Sequence, residues 1–278
     1  MIVTDKNYSM DNTYLSKLDL MIKRMRGTDD NLLLVDGDEG QGKTEFAVGT
    51  CYYISYEMKR PYNPNHIFFN LDEAMHFVSE TKEQIIHLDE GALGLMSSQW
   101  WNKNQQKFLQ LVMVARKKKH FMVICIPKFY KLNQYIVEER SIGLVHVYSR
   151  KNLVKGRFCY YTKNGKERLY QEWKKKKYKN YRKYYSFHGS FVKAMKKVFT
   201  KEEIDEYERK KDIAIMGIVG GLGEDKKITK KDIQIETLLK MRKNLPEMSI
   251  SELADGFGVS KSTINRWISI NKEKSLKN

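Results

Sequence analysis

Nearly continuous apolar runs at Asn31 to Val35, Gln84 to Leu88, Phe121 to Ile126 and Leu144 to Tyr148, with a shorter one at His66 to Phe69, punctuate the first half of the chain. Between them the spacing predicts helices over Tyr14 to Arg26, Lys43 to Met58 (ending before Pro61), Leu71 to Glu80 (capped by Asn70), Asn104 to Lys119 and Asn133 to Arg140. Strands alternating with helices predict an α/β fold whose parallel sheet is covered on both faces. Five strands in this order place the 121 to 126 strand between those ending at residues 35 and 88.

Past residue 149 the pattern changes. Arg157 to Thr162 and Glu167 to Gln171 flank Lys163-Asn164-Gly165-Lys166, and Asn-Gly between such runs predicts a β-hairpin. The stretch Gly217-Ile-Val-Gly-Gly-Leu-Gly223 reads as a linker or hinge. Ser251 to Ile268 then fits a helix-turn-helix, with Ala254 small where helices cross and Gly258 at the turn. Leu253, Phe257, Val259, Ile264 and Trp267 fall at its apolar positions, and its second helix starts at Ser260. The expected organisation is a domain over 1–149, a basic hairpin and helical segment over 150–216, a linker over 217–228 and a small all-α domain over 229–278.

Composition narrows the class. A chain of 278 residues has room for one sizeable domain and one or two small ones. No apolar run approaches the roughly 18 residues of a membrane span, and the first residues resemble neither a signal nor a transit sequence. No membrane partner is expected, and the cytoplasm of its cell or host is the expected compartment. Cys51, Cys125 and Cys159 lack metal or redox spacing, and two of them, in apolar stretches, read as core residues. The net charge is +17, unevenly placed: residues 1 to 149 carry 18 Lys/Arg against 18 Asp/Glu, residues 150 to 211 carry 21 against 7, and residues 212 to 278 carry 12 against 9. A neutral domain followed by a basic segment suggests a polyanionic partner held outside the first domain.

Residues 37 to 44 read GDEGQGKT, directly after one apolar run and before Glu45-Phe-Ala-Val48. Gly37, four residues, then Gly42, Lys43 and Thr44 is the spacing of a phosphate-binding loop. Its glycines let the backbone amides of Asp38, Glu39, Gly40 and Gln41, and the helix start at Lys43 to Glu45, point at one anionic centre. Lys43 is expected to reach the β- and γ-phosphates and Thr44 to offer its hydroxyl to Mg²⁺. A glycine-rich turn fits the same letters, but the strand-to-helix setting favours a nucleoside triphosphate, ATP with Mg²⁺.

Gln84 to Leu88 ends in Asp89-Glu90, at the sheet edge where ligands of parallel sheets collect. Asp89 is expected to hold Mg²⁺ through water and Glu90 to polarise the attacking water; an acidic helix N-cap is the plainer alternative. Phosphoryl transfer also needs positive charge at its transition state, and Arg116 and Arg140 are candidates for donation to a neighbouring subunit. Both close helices, where the macrodipole alone favours a cation.

Trp173 to Phe187 threads four tyrosines through Lys174, Lys175, Lys176, Lys177, Lys179, Arg182 and Lys183. Such cations pair with phosphates regardless of sequence, and exposed aromatics stack on bases; a solvated helix face with its tyrosines on the core is the alternative. In the C-terminal motif Lys261, Ser262, Thr263, Asn265 and Arg266 would face a major groove or its phosphates, with protein contact still open.

The loop, the Asp89-Glu90 pair and the stretch Ile126 to Arg140 resemble the RecA-like ATPase core of DNA-translocating and packaging motors, the FtsK/HerA-like and zonular-occludens-toxin-like division of P-loop proteins, over about residues 28 to 149. The resemblance implies a DNA-dependent ATPase in a ring of five or six subunits, with double-stranded DNA through its centre and arginines acting between subunits. It also implies a viral or mobile-element setting, with a nuclease or a portal or capsid protein as further partner. Pro127 stands where such ATPases place a polar sensor, and no acidic nuclease cluster follows. An ATP-gated assembly factor on DNA, without translocation, uses the same motifs.

Overall fold

In the computed structural model, residues 2–3, 6–27, 29–89, 98–149, 155–224, 249–257 and 259–264 are described. The strands are β1 (Ile2–Val3), β2 (Tyr8–Ser9), β3 (Asn31–Asp36), β4 (Ile67–Phe68), β5 (Ile85–Leu88), β6 (Phe121–Ile126), β7 (Gly143–Tyr148), β8 (Arg157–Thr162) and β9 (Phe187–Ser190). The helices are α1 (Asn12–Arg26), α2 (Lys43–Met58), α3 (Leu71–Glu80), α4 (Ser98–Lys117), α5 (Lys163–Lys176), α6 (Met195–Val198), α7 (Lys201–Glu224) and α8 (Ile250–Phe257). Two compact units divide the chain, Met1–Ile218 and Val219–Asn278.

The seven-stranded sheet of the first unit runs β4-β5-β6-β3-β7-β8-β9. The first five strands are parallel, with β6 between β3 and β5 as expected. The antiparallel β8 and β9 extend it. Because alternate strand residues face opposite sides, Leu33 and Val35 enter a core with α1 and α2, while Leu32 and Leu34 enter one with α3, α4 and α5. Tyr14, Phe46 and Phe158 cluster in the first core at ring separations of 4.9 to 5.4 Å.

Local chemistry starts and stops the helices. Asp11 accepts from the Thr13 and Tyr14 amides at the head of α1, whose buried Tyr14, Leu18, Met21, Ile22 and Met25 recur at helical spacing. Asn70 caps α3 through the Asp72 amide at 2.7 Å. The helix expected near Asn133 to Arg140 ends as a π-helical turn, Ile136–Arg140.

Two expectations are corrected. The hairpin over Asn164-Gly165 is instead the first turn of α5, capped by Thr162, whose hydroxyl accepts from the Gly165 amide. Lys166, Leu169 and Tyr170 are buried on one face of that helix, so the 3.6-residue period prevails over the turn signal. Gly165 stays indispensable for another reason: a Cβ there would overlap the Tyr184 carbonyl oxygen. The glycine-rich linker is helical through Glu224, because α7 arrives already nucleated and each glycine costs an existing helix only about 1 kcal/mol. Residues 225 to 228 lie outside the described residues.

Candidate nucleotide site and nucleic-acid interface

The loop between β3 and α2 is built by backbone that only glycine holds comfortably. Gly37, Gly40 and Gly42 have φ of +147°, +71° and +99°. A Cβ on Gly37 would also overlap the Val147 carbonyl oxygen, so the loop passes tightly over β7. Gln41 is fixed there by the Ser149 hydroxyl, which donates to its Oε1. Gly42 caps α2 without a side-chain acceptor, so the first amides of α2 are oriented toward whatever the loop encloses. Asp38 and Glu39 are exposed at the loop tip.

Lys43, 4% exposed, turns its ammonium back into the loop and donates to the carbonyls of Gly37 and Asp38 at 2.7 and 3.0 Å. Thr44 Oγ1 lies 3.0 and 3.1 Å from the two oxygens of Asp89, so the loop and the end of β5 meet as expected. Asp89 is 3% exposed and anchored by its amide to the Phe68 carbonyl at 3.0 Å. A hydroxyl beside a buried carboxylate is an all-oxygen donor pair suited to a hard divalent ion such as Mg²⁺, and the cationic loop suits a phosphate. These residues therefore fit Mg²⁺ and a nucleotide. Glu90 lies outside the described residues.

Behind Asp89, His87 is buried between the Tyr62 hydroxyl, 3.0 Å from Nδ1, and Cys125 Sγ, 3.5 Å from Nε2. Burial lowers its pKa, which keeps the ring neutral. His87, Asp89 and Cys125 bring their ligand atoms within 4.8 Å of one another. Cys51, Cys125 and Cys159 are buried, and none of them forms a disulfide.

Other contacts at the site have no sequence signature. Tyr207 of α7 donates to Asp89 Oδ2 at 2.8 Å. Glu45, expected at the nucleotide, accepts from the Met195 amide at 2.9 Å and so holds the start of α6. Phe191 packs 3.6 Å from where a Cβ on Gly42 would stand. Asp36, immediately before the loop, accepts from the hydroxyl of Tyr181, a member of the basic segment. Nothing local marks Tyr207 or Tyr181, which pair with residues more than a hundred positions away.

The two arginines lie at the other edge of the sheet, where the parallel strands begin. Arg116 is exposed and lines a cavity of about 430 Å³ with Arg24, Asp29, Asp30, Arg140 and Lys163. Arg140 is 9% exposed and paired with Asp30 at 2.5 Å. Neither is near the loop of its own chain.

The basic segment begins in the last turn of α5. Lys174 to Lys177, Lys179, Arg182 and Lys183 are exposed, as are Tyr178, Tyr184 and Tyr185. Tyr181 points inward against Tyr130. Cations lie over the rings beneath them, Lys177 over Trp173 at 5.2 Å and Lys179 over Tyr130 at 6.0 Å. Lys176 and Lys183 share Glu172. The segment thus offers charge outward on an aromatic footing.

In the second unit, beyond α8, residues 261–264 are also helical. Ser260 accepts from the Thr263 amide at 3.3 Å, and Leu253, Ala254 and Ile264 are buried. Lys261 and Ser262 are exposed and Thr263 is half-buried. Gly258, Asn265, Arg266 and Trp267 lie outside the described residues.

No protein-family model and no curated protein sequence matches the chain. Solved structures similar to it include replication initiator DnaA bound to AMPPCP and single-stranded DNA, with TM-score 0.35 and 13% identity over 100% of this chain and 91% of that one. A DNA polymerase III gamma subunit-related protein of Thermotoga maritima has TM-score 0.34 and 14% identity over 85% of this chain and 68% of that one. A RuvB variant of Thermotoga maritima has TM-score 0.30 and 14% identity over 92% and 85%. All three scores are low, so the reading of the site rests on its own geometry. Among the described residues, no helix is long and apolar enough to cross a membrane.

Proposed function

We propose that the chain is a Mg²⁺-dependent ATPase that acts on double-stranded DNA as a ring of subunits, in the manner of a viral or mobile-element translocase or packaging motor. The observation that carries the ATPase reading is the meeting of a glycine-built loop, a buried Lys43 and the Thr44–Asp89 pair at one sheet edge. Lys43 and the α2 amides would hold the phosphates, Thr44 and, through water, Asp89 would hold the cation, and Glu90 would polarise the attacking water. Bound Mg²⁺ would neutralise charge developing on the phosphate oxygens. Arg116, exposed at the opposite edge, is the better candidate to reach a neighbour's site, since Arg140 is already paired with Asp30. The basic segment and the helix from Lys261 are the proposed DNA contacts.

An ATP-gated assembly factor is the second reading. It is favoured by the contacts of Glu45 and Asp89 with residues 195 and 207, which put the chain beyond the ATPase core in touch with the nucleotide site. Hydrolysis measured with and without long duplex DNA decides: a motor turns over quickly on DNA, and a gate stays slow. Lys43→Ala should abolish hydrolysis, and Glu90→Gln should bind ATP without turning it over. Wild-type turnover in Glu90→Gln would remove Glu90 as the base.

A further inference from the structure

Tyr207 stands 118 residues from Asp89 in sequence, yet its hydroxyl donates to Asp89 Oδ2 in the protein interior. Its ring packs 5.3 Å from Phe69, and one turn further along α7 Lys210 donates to the Pro64 carbonyl at 3.1 Å. The helix is therefore fastened on both sides of β4, the strand beside β5. A carboxylate has about four acceptor positions. Thr44 and Tyr207 occupy part of that capacity and fix the plane of the group.

We infer that Tyr207 is a positioning residue for the Mg²⁺ site, and that through it the docking of α7 is coupled to binding of the Mg²⁺–nucleotide complex. The inference rests on the reading of Thr44 and Asp89 given above. Two neighbouring contacts run the same way, Met195 to Glu45 and Phe191 to Gly42, so successive pieces of residues 191 to 207 touch α2, the loop and the metal pair. Coupling between binding equilibria is reciprocal. If docked α7 orders Asp89 for the cation, then the cation with its nucleotide tightens the docking of α7. Nucleotide without metal has no such purchase on Tyr207.

The test uses the full chain as wild type, Tyr207→Phe, Asp89→Asn and the double variant. Binding of a slowly hydrolysed ATP analogue is titrated against Mg²⁺ and repeated in EDTA, and hydrogen exchange is followed over residues 201 to 216. Tyr207→Phe should weaken the apparent Mg²⁺ affinity roughly ten-fold, the effect of one hydrogen bond to a charged group, with metal-free binding unchanged. In the Asp89→Asn background the same change should have no further effect. Exchange over 201 to 216 should slow in the wild type with Mg²⁺–analogue, remain unchanged with metal-free analogue, and not respond in Tyr207→Phe. Equal losses with and without Mg²⁺, an unchanged Mg²⁺ affinity, or α7 exchange indifferent to Mg²⁺–analogue in the wild type would each overturn the inference. A wild type that binds no analogue at all would instead overturn the nucleotide reading, and the role of Tyr207 with it.

Discussion

Asp36 Oδ1 and His146 Nδ1 lie 2.8 Å apart across 110 residues of sequence, joining the end of β3 to β7 immediately before the phosphate loop begins. The other oxygen of Asp36 accepts from Tyr181, whose ring stacks on His146 at 3.6 Å and 4°. One carboxylate, 1% exposed, thus fastens the loop strand, its neighbour and the basic segment together. Asp36→Ala leaves two half-buried donors without this acceptor and should cost about 2–4 kcal/mol, whereas Tyr181→Phe removes one bond and should cost about 1 kcal/mol. Urea unfolding measures both, and an Asp36→Ala protein as stable as wild type would show that the network contributes nothing.

Acid should weaken the fold through His120. Its Nδ1 accepts from the Gln84 amide at 2.9 Å, so Nε2 carries the proton and faces the Val78 carbonyl at 3.2 Å. Burial lowers its pKa from the ordinary 6.5, with a smaller push from Arg60. The unfolded chain then binds the proton first: stability is full above about pH 6.5 and falls as pH drops through 6.5 toward the folded-state pKa. His66 and His87 are lowered in the same sense, so the readout is the difference between wild type and His120→Gln, which should show a shallower fall below pH 6.5. Parallel pH profiles would rule His120 out as a contributor.

The parts of the fold set by local chemistry were legible in the sequence. Gly42 before a helix, Asn70 as a cap and apolar runs of strand length placed α2, α3 and the five parallel strands with small shifts of boundary. Asn164-Gly165 misled because a two-residue turn signal depends on its flanks, and here Thr162 caps and Lys166, Leu169 and Tyr170 bury a helical face. Lys166 was legible only as one more positive charge. In the structure it is fully buried, its ammonium donates to the Val137 carbonyl, and burial lowers its pKa to about 8. The Thr44–Asp89 pair follows from two motifs at one sheet edge. The partners Tyr207, Tyr181 and Met195 do not, because they are fixed by packing between segments rather than by neighbours in sequence.

If Arg116 acts between subunits, activity should be shared. Its exposure at the edge opposite the phosphate loop gives it no route to the nucleotide of its own chain. Arg116→Ala and Glu90→Gln should each be inactive alone, yet a mixture should regain part of the turnover, because one kind of interface combines an intact Glu90 with an intact Arg116. An active Arg116→Ala protein, or no recovery in co-assembled mixtures, would move the role to Arg140 and require its pair with Asp30 to open.

Two modes of DNA binding should separate by mutation. Lys174 to Lys177 are exposed at the end of α5, where pairing with phosphates is blind to sequence and each cation removed lowers the salt dependence. The helix that Ser260 caps presents Lys261 and Ser262 outward, and Asn265 and Arg266, which follow in sequence, are side chains able to reach base edges. Neutralising Lys174 to Lys177 should weaken binding to every duplex about equally and flatten the salt slope by up to about 0.9 for each phosphate no longer neutralised. Asn265→Ala with Arg266→Ala should instead erase preference for a cognate duplex, by about 1–3 kcal/mol for each base pairing removed, while DNA-stimulated hydrolysis persists. Salt titrations on cognate and random duplex, run for each variant, give both quantities. The separation fails if removing residues 229 to 278 abolishes all DNA binding, or if the lysine variant loses affinity for the cognate duplex alone.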